Sequence, residues 1–496
     1  MTHAGHQHDA VQADLLILGS GAAAFGAATR ARELGKMAVM VEERTLGGTC
    51  VNRGCLPSKN LIAAAKLVYD AAHPRFSGLT PASLQPDFPA LVAQKDALIQ
   101  QYRDQHYASI LNDGDESSEP PPTRVIYGRA TLVDPHTAAV TAPDGSLRRI
   151  SGDQVLIATG SAPAIPDSPG LAETPYLTSD LLTSHEAREL GELPSSLVIL
   201  GGGYIALELG QLFARLGSDV TILEPARRIL PRYEPEIAHR LTEILREEGL
   251  RIVPGARIER ITGDTRHVSV TARVRGQSLA FTAATLLVAT GRRPNTSDLG
   301  LEQVGIRLDP QTGAVAVDAK LRTSVPHIWA AGDAIGHETD SQMATPVAAH
   351  DGGLAASNAL AGAGRTVNHA IIPRAIFTDP PVGVVGLTDA EATAAGIACE
   401  CSAIPLSVVP RAGAIRDTRG VVKLVLERET RRVVGVSMLG AEAAEVVQVA
   451  SLGMRYGMTA DDLIDQLFIY PTMAEALRIA AISFTRDVRT LSCCAS

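Results

Sequence analysis

Cysteine is scarce in this chain, with six residues in 496, and two of the six stand side by side near the carboxyl terminus. Long apolar runs are missing as well, because no stretch of about 18 uninterrupted apolar residues occurs that could cross a membrane. No positively charged segment precedes the first apolar run, which argues against a secretory signal. We therefore expect a cytoplasmic protein with no membrane partner. Thiols in that compartment are kept reduced, so paired cysteines indicate catalysis or metal binding rather than a structural disulfide.

The chain also lacks any block of basic residues. It carries 45 Lys+Arg against 54 Asp+Glu, a net charge of −9, and nothing in it could follow a phosphate backbone. Nucleic acid is therefore not an expected partner. Hydrophobic residues make up 45 % of the composition, and the length exceeds what one core supports, so two to four domains are predicted.

The chain contains one α/β unit twice. Residues 14–44 have the pattern of a strand, a glycine turn, a helix and a strand, and residues 196–224 repeat it about 180 positions later. A further strand and turn follows each unit, VLIATGSAP at 155–163 and LLVATGRRP at 286–294. We predict an α/β fold with two Rossmann-like dinucleotide-binding domains. From about residue 371, alternating strand-like runs followed by helical stretches predict a third, α+β domain.

Each glycine turn has the pattern of a dinucleotide site. The first glycine permits the tight turn, the second lets a pyrophosphate approach the backbone, and a small third residue lets the helix pack on the strand. The phosphate would lie at the helix N-terminus, and a glutamate about 20 residues later would accept a hydrogen bond from a ribose hydroxyl. These positions are Gly19, Gly21, Ala24 and Glu42 in the first unit, and Gly201, Gly203, Ala206 and Glu224 in the second. Two dinucleotides on one chain suggest a flavin, FAD, reduced by NADH or NADPH.

The segment GGTCVNRGCLPSK at 47–59 suggests what receives the electrons. Cys50 and Cys55 follow shortly after the acidic ribose residue of the first unit. If a helix begins here, both sulfurs lie near its first turn, where the dipole favours a thiolate and lowers the thiol pKa. The alternative is a pair of buried structural thiols.

These motifs resemble the pyridine nucleotide-disulfide oxidoreductases over nearly the whole chain. The similarity includes GGTCVNRGCLPSK, both ATG turns, HIWAAGDA at 327–334, FTDPPVGVVGL at 377–387 and YPTMAEA at 470–476. It implies that Cys50 is the interchange thiol and that Cys55 lies against the isoalloxazine. It also implies flavin contacts from Thr49, from Lys59 paired with Glu208, and from Asp333 on the ribityl chain, with Tyr204 shielding the nicotinamide side.

The resemblance also implies the domain order. We expect an FAD-binding domain at 1–165 and 286–365, with a flexible tail over 1–13, and an NAD(P)-binding domain at 166–285. Residues 366–496 would form an interface domain that joins a homodimer and ends in the Cys493-Cys494 tail. The acidic, proline-rich segment at about 112–122 is predicted to be an exposed loop.

Two departures from the family's disulfide-reducing members bear on the substrate. Tyr470 occupies the position of their acid-base histidine, and a tyrosine with a pKa of roughly 10 is a poor proton shuttle at neutral pH. Adjacent cysteines form a strained ring when oxidised, whereas as dithiols Cys493 and Cys494 suit a soft thiophilic ion. Both features are similar to those of the family's members that reduce Hg(II). That similarity implies Hg(II), arriving as a thiol complex, as substrate and Cys50, Cys55, Cys493 and Cys494 as its ligands. Tyr204, and Tyr470 of the partner subunit, would assist as hydroxyl ligands.

Several alternatives remain open on the sequence. Glu224 favours NADH because a carboxylate repels a 2′-phosphate, although the family usually uses NADPH and the nearby Arg227 and Arg228 could hold that phosphate. A disulfide reductase of the same family, similar to thioredoxin reductase or dihydrolipoamide dehydrogenase, is one rival function, and a flavin-free metal-sequestering protein is another. Tyr470 could instead be an ordinary interface tyrosine.

Two smaller features are predicted not to bind metal. Cys399 and Cys401 form a Cys-x-Cys pair without a histidine or a further cysteine nearby, which indicates solvent-side thiols. His3, His6 and His8 lie in the predicted amino-terminal tail, where a disordered segment is favoured over a metal site.

Overall fold

A computed structural model describes residues 11–112, 123–183, 190–336 and 343–490. It confirms the α/β class, with two nucleotide-binding domains of one design and a third, α+β domain. The predicted loop at 112–122 lies outside these ranges except for residue 112, which ends a helix.

The first domain is built on a parallel sheet. The strand order of this parallel part is β3-β2-β1-β6, and β1 pairs in parallel with both β2 and β6. The Leu15–Leu18 run of β1 is buried on both faces, as expected for a strand covered by helices on each side. Its helices and strands are β1 (Val11–Leu18), α1 (Ala22–Glu33), β2 (Ala38–Glu42), α2 (Gly48–Arg53), α3 (Cys55–Ala72), α4 (Phe88–Arg103), α5 (Ser109–Asn112), β3 (Arg124–Tyr127), β4 (Arg129–Asp134), β5 (Thr137–Thr141), β6 (Leu147–Ile157) and β7 (Ser161–Pro163).

The predicted flexible tail over 1–13 is too long by three residues. Val11 already pairs with Ile150 in the parallel ladder between β1 and β6, so residues 11–13 are strand. Their backbone hydrogen bonds to β6 provide the order that the short polar sequence did not indicate. Residues 1–10, with His3, His6 and His8, lie outside the described part of the chain.

The second domain repeats the first. Its sheet has the order β10-β9-β8-β14, and a three-stranded meander, β11-β12-β13, stands where β4, β5 and the start of β6 stand in the first domain. The elements are β8 (Ser196–Leu200), α6 (Tyr204–Leu216), β9 (Asp219–Glu224), α7 (Pro235–Glu247), β10 (Arg251–Pro254), β11 (Arg257–Gly263), β12 (Val268–Val274), β13 (Gln277–Ala283) and β14 (Thr285–Val288).

The predicted domain boundary at residue 286 is wrong by a few residues. Leu286, Leu287 and Val288 pair in parallel with Val198, Ile199 and Leu200 of β8, which makes β14 the last strand of the second sheet. The chain returns to the first domain only after the turn that follows β14.

The returning segment completes the first sheet and its helical layer. It contains β15 (Arg292–Pro294), β16 (Ile328–Ala330) and α8 (Thr345–Ala361), and β16 pairs in parallel with the end of β6. Helices α8 and α1 meet backbone to backbone at Gly352, where an added Cβ would lie 1.9 Å from the carbonyl oxygen of Ala23. This close packing fixes α1, and with it the first glycine turn, against the sheet.

The third domain is a five-stranded antiparallel sheet in the order β17-β18-β21-β20-β19, with its helices α11 and α13 packed on one face and α7 of the second domain on the other. Its elements are β17 (Arg374–Ile376), β18 (Val382–Gly386), α9 (Asp389–Ala394), β19 (Cys399–Pro405), α10 (Pro410–Ala414), β20 (Val421–Glu427), β21 (Val433–Leu439), α11 (Ala443–Arg455), α12 (Ala460–Asp465) and α13 (Glu475–Ile482). Large apolar side chains project from it into solvent, with Leu452 63 %, Tyr456 84 %, Leu467 89 % and Ile469 81 % exposed. Such a patch is typical of a protein interface.

Buried ion pairs join the third domain to the second. Lys423 of β20, 2 % exposed, donates to Glu234 of the second domain at 2.8 Å and to Asp389 of its own domain at 2.8 Å. Arg215 of α6 pairs with Asp379 at 2.9 Å. Removing one partner of such a pair leaves an uncompensated buried charge, so these contacts hold the two domains in one arrangement. In the part of the chain that the structure describes, no helix is long and apolar enough to cross a membrane.

Candidate active site

The two glycine turns have the same backbone geometry. Gly19 and Gly201 have φ angles of 110° and 102°, in the region that favours glycine. A Cβ on Gly19 would lie 2.4 Å from the carbonyl oxygen of Ala158, and one on Gly201 would lie 2.5 Å from that of Ala289. These two alanines belong to the ATG turns, so in both domains the first glycine lets the turn pack against the neighbouring strand.

The remaining small residues of the two turns lie either inside the protein or beside open space. Ala24 and Ala206 are fully buried, where their helices pack on the sheets. An added Cβ on Gly203 would meet nothing within 4 Å, and one on Gly21 would meet only the Cα of Gly48, at 3.9 Å. Both second glycines therefore leave open space at a helix N-terminus, where a pyrophosphate can approach the free N–H groups.

One long cleft runs across the first domain. Its inner part is a cavity of about 170 Å³ lined by Cys50, Cys55, Lys59, Tyr204 and Asp333, among others. Its outer part passes the first glycine turn and ends beside Glu42. Seven residues line both parts, and these are Gly21, Thr49, Arg53, Ala158, Gly160, Ser161 and Arg292. The cleft therefore joins the cysteine pair to the acidic ribose position in one continuous channel.

The two ends of this cleft suit FAD. At the outer end, Glu42 accepts from the Ser20 hydroxyl at 2.6 Å and from the Arg44 and Thr45 N–H groups at 2.7 and 3.0 Å, which holds its carboxylate at the end of β2. At the inner end, Asp333 accepts from the Ser161 hydroxyl at 2.5 Å. The two carboxyl groups have further lone pairs with which to accept from ribose and ribityl hydroxyls.

The cysteine pair lies on two helices rather than one. Cys50 is in the short helix α2, which ends where Gly54 leaves the helical region with φ −121° and ψ −107°. Cys55 is the first residue of α3, which runs on for 18 residues. The expectation that both sulfurs lie near the first turn of a single helix is therefore wrong for Cys50. Cys50 lies in the first turn of the six-residue helix α2, whereas Cys55 begins the 18-residue helix α3, whose longer dipole favours a thiolate there.

The two thiols differ in acidity. The hydrogen bond from Cys50, followed by the charge of Lys59 and a hydrogen bond from Thr345, lowers the pKa of Cys55 to about 6. The same contact, together with burial, raises the pKa of Cys50 above its ordinary range. In the reduced protein at neutral pH, Cys55 is thus the thiolate and Cys50 the thiol that donates to it.

A buried ion pair supports the thiolate. Lys59 donates from Nζ to Glu208 at 2.7 Å, and Glu208 is 4 % exposed. The second carboxylate oxygen of Glu208 accepts from the backbone N–H of Phe377 at 2.8 Å, and the Phe377 ring lies 4.8 Å from the Lys59 ammonium. Glu208 therefore links the redox helix, the second domain and the third domain, and the Lys59 ammonium is held by both charge and a cation–π contact.

Two tyrosines were predicted to act at the site. Tyr204 begins α6 and lines the inner cavity, where desolvation by the surrounding protein raises its pKa to about 12. Its phenol is therefore neutral. Tyr470 is 48 % exposed on the third domain and is not among the described residues that line the cavity of its own chain. Cys493 and Cys494 lie outside the described residues.

The second acidic position, Glu224, has both oxygens occupied by its own loop. One accepts from the Gly202 N–H and the other from the Ala226 N–H, each at 2.6 Å. The residue is 7 % exposed and lies against the second glycine turn. Arg227 is exposed beside it, and Arg228 donates to the carbonyl oxygen of Leu230 at 2.9 Å.

Sequence reasoning missed three residues at the site. Thr345 lies with its hydroxyl 3.7 Å from the Cys55 sulfur, Arg292 donates to the Ser161 hydroxyl at 2.8 Å, and Phe377 covers Lys59. Each is more than 130 positions from its partner in the chain. The only local signal was that Arg292 follows an ATG turn.

A dithiol at the end of a dinucleotide cleft, with a second dinucleotide domain beside it, defines a flavoprotein oxidoreductase that takes its electrons from a pyridine nucleotide. The chain belongs to the pyridine nucleotide-disulphide oxidoreductase family: residues 13–353 match the family model, and residues 372–481 match the model of its dimerisation domain. It is an NAD(P)H-dependent, FAD-containing enzyme, and the dimerisation domain supports a homodimer.

Curated relatives within this family are mercuric reductases. The chain is 44 % identical to the mercuric reductase of Streptomyces lividans, with 97 % of this chain and 98 % of that protein aligned. It is 39 % identical to the mercuric reductase of Staphylococcus aureus, with 97 % and 84 % aligned. A similar solved structure is the Cu(II) complex of RclA, an HOCl-induced flavoprotein disulfide reductase from Escherichia coli, with a TM-score of 0.82 and 31 % identity over 96 % of this chain and 100 % of that one.

The lowered pKa of Cys55 gives a testable pH dependence. In the reduced holoenzyme, the rate of Cys55 alkylation by iodoacetamide should rise with pH to a plateau, with a midpoint near pH 6, because only the thiolate reacts. Peptide mass mapping would identify the alkylated residue. In a Cys50→Ala variant the midpoint should move up towards that of a free cysteine, and Lys59→Met should give a smaller upward shift. Lys59→Arg, which keeps the charge, is the matched control, and an unchanged midpoint in Cys50→Ala would contradict the assignment.

Proposed function

We propose that the chain is a mercuric reductase that uses NAD(P)H to reduce Hg(II), delivered as a thiol complex, to Hg(0), and that it acts as a homodimer. The observation that carries this proposal is the alignment with mercuric reductases over 97 % of this chain, at 44 % and 39 % identity. The residues of the active site agree with this proposal. Among the described residues that line the inner cavity there is no histidine, and Tyr470 occupies the position of the family's acid-base histidine. The small thiolates displaced from Hg(II) can take their protons from Cys50 and from solvent, so the exchange needs no histidine proton shuttle.

The chemistry at the cysteine pair is an exchange of sulfur ligands. Because its pKa is lowered, Cys55 rather than Cys50, the interchange thiol that the resemblance implied, is the entering ligand. Its thiolate attacks the Hg(II) complex and displaces one small thiolate, which takes a proton on release. Cys50 then loses its proton to the second small thiolate as its own sulfur binds the metal. Thiolates are the ligands that soft ions prefer, so two protein sulfurs hold Hg(II) more tightly than one. Bound FAD supplies two-electron transfer between the pyridine nucleotide and this site.

The other residues position this exchange. Glu42, Asp333 and Thr49 would hold the cofactor in the cleft, and the Lys59–Glu208 pair maintains the positive charge beside Cys55. Tyr204 supplies a neutral hydroxyl on the nicotinamide side. Cys493 and Cys494, with Tyr470 of the partner subunit, would bring Hg(II) to the cavity. Overall, NAD(P)H and Hg(II) give NAD(P)⁺, H⁺ and Hg(0), which balances in charge and electrons.

The test is Hg(II)-dependent oxidation of NAD(P)H by the holoenzyme in the presence of excess small monothiol. One Hg(0), trapped from the gas phase, should form per NAD(P)H oxidised. Steady NAD(P)H oxidation on addition of a protein or small-molecule disulfide, with none on addition of Hg(II), would instead identify a disulfide reductase of the same family. Stoichiometric Hg(II) binding without any NAD(P)H oxidation would indicate a sequestering protein.

We further infer a preference for NADH. The Glu224 carboxylate lies against the second glycine turn and is held there by two backbone N–H groups, so the 2′-phosphate of NADPH would approach a fixed negative charge. The value of kcat/KM should therefore be higher for NADH than for NADPH. As a check on binding alone, 5′-AMP should inhibit at least as well as its 2′-phosphorylated form. If kcat/KM for NADPH exceeds that for NADH by about tenfold or more, equivalent to about 1.4 kcal/mol, Arg227 and Arg228 outweigh Glu224 and the inference is wrong.

A further inference from the structure

A second pair of thiols lies on the third domain. Cys399 and Cys401 are on β19, the edge strand of the five-stranded sheet. Alternate residues of a strand point to the same face, so the two side chains share one side of the sheet, while Glu400 between them points to the other. Cys401 is exposed and Cys399 is half-buried. A small ligand can therefore reach both from solvent.

Charged side chains lie near the pair: Asp389 and Lys423 act on Cys401 electrostatically, and Glu427 stands opposite Cys399 on β20. The Cys399 sulfur is 3.7 Å from the Thr393 hydroxyl and 3.9 Å from the Asp389 carbonyl oxygen. Burial raises the pKa of Cys401 to about 11, and the nearby Cys399 sulfur adds to the shift. The two sulfurs are thus close enough to interact, and Cys401 is a protonated thiol at neutral pH, unlike Cys55.

The number of ligands decides which metals fit. Within residues 11–112, 123–183, 190–336 and 343–490, no group of three or more His, Cys, Asp or Glu side chains could hold a metal ion. Structural zinc is almost always four-coordinate, so zinc is a poor fit. Two sulfurs on one face suit a soft cation with a filled d shell that accepts two thiolates in a linear arrangement.

We propose that Cys399 and Cys401 form a two-coordinate site for such a soft cation, separate from the flavin cleft, and that Hg(II) is its ligand. The choice of Hg(II) among soft cations rests on the proposed function, whereas the existence of the site does not. Loading is a ligand exchange without electron transfer. Two bonds from Hg(II) to small thiolates break, two bonds to protein sulfurs form, and the two protons of the protein thiols leave with the released small thiols.

The site has a functional consequence. Hg(II) held here by two sulfurs stays on the protein when the flavin cleft is occupied, and it can pass back to small thiols by the reverse exchange. The third domain would then retain a second metal ion per chain outside the route to the cofactor.

The test is the stoichiometry of Hg(II) retained by the holoenzyme after gel filtration in a small monothiol. In a background with Cys50, Cys55, Cys493 and Cys494 all changed to alanine and with its FAD retained, one Hg(II) per chain should remain. Adding Cys399→Ser or Cys401→Ser should weaken retention by at least about 100-fold, because a single thiol competes with the monothiol on equal terms. Retention of two Hg(II) per chain, or unchanged retention in either serine variant, would overturn the proposal.

A second measurement avoids the fourfold background. In the otherwise unchanged chain, Cys399→Ser/Cys401→Ser should retain one Hg(II) per chain fewer than the parent at equal FAD content and equal melting temperature. An equal count in the two proteins would also overturn the proposal, and so would retention of Zn²⁺ at this site under the same conditions. Hg(II)-dependent NAD(P)H oxidation by the parent protein tests the proposed function independently, since its absence would leave these stoichiometries unaffected.

Discussion

Replacement of Cys55 by serine is expected to lower Hg(II)-dependent NAD(P)H oxidation by more than about 1000-fold. The serine hydroxyl stays protonated at every working pH, and its hard oxygen is a poor ligand for a soft ion. The Cys55 sulfur is the one whose pKa is lowered to about 6, so the variant loses the nucleophile as well as one metal ligand. The rate would be measured with a small-thiol complex of Hg(II) under the conditions of the parent enzyme.

The same variant provides its own control. Oxidation of NAD(P)H by a small quinone needs the cofactor and the second dinucleotide domain but not the cysteine pair, and it should stay within about threefold of the parent value. The Lys59–Glu208 pair, at 2.7 Å, does not depend on the sulfur for its geometry. A Cys55→Ser enzyme that reduced Hg(II) at more than a tenth of the parent rate would show that metal reduction bypasses this pair. Loss of both activities together would instead indicate loss of bound FAD.

The features that the sequence predicted correctly are those set by short-range patterns. The strand, glycine turn and helix of each dinucleotide unit are contiguous in the chain, and Gly19 and Gly201 are glycines because their backbone angles and their close approach to Ala158 and Ala289 allow little else. The duplication was visible for the same reason. Each ATG turn follows a strand that pairs with the first strand of its own unit.

The features that were missed depend on distant contacts or on single backbone angles. Phe377 and Glu208 are 169 positions apart, and no periodicity connects them. The break between α2 and α3 falls at one residue, Gly54, whose φ of −121° and ψ of −107° lie outside the helical region, and these angles cannot be read from the sequence. The β14 boundary was misplaced because the sequence of a strand does not state which sheet it joins.

The two thiols of the redox pair show the limit of such reasoning for chemistry. The helix dipole alone predicts that both are activated, yet the structure gives Cys55 the N-terminus of the longer helix, the Lys59 charge and the hydrogen bond from Cys50. The pKa of Cys50 moves in the opposite direction. The division of labour between nucleophile and second ligand thus comes from their mutual contact, which spacing in the chain does not determine.

Changing both Cys493 and Cys494 to alanine is expected to lower kcat/KM for thiol-bound Hg(II) by about 100-fold or more. Excess small thiol competes with any single protein sulfur, so delivery into the cavity needs a dithiol that exchanges its ligands one at a time while the metal stays bound. Such a tether raises the effective concentration of Hg(II) beside Cys50 and Cys55 without any new contact at the cofactor. The assay compares thiol-bound Hg(II) with a weakly ligated halide complex, whose turnover should fall much less.

The specificity of that loss identifies its cause. The variant should keep its FAD, its quinone activity and the low alkylation midpoint of Cys55, because Lys59, Glu208 and Thr345 are unchanged around that thiolate. An equal fall with both forms of Hg(II) would mean that the substitution disturbs the redox pair rather than delivery. If the variant turns over thiol-bound Hg(II) at the parent rate, then the Cys50 and Cys55 sulfurs take the metal directly from small thiols through the opening of the cleft, and the carboxyl-terminal pair has no part in the reaction.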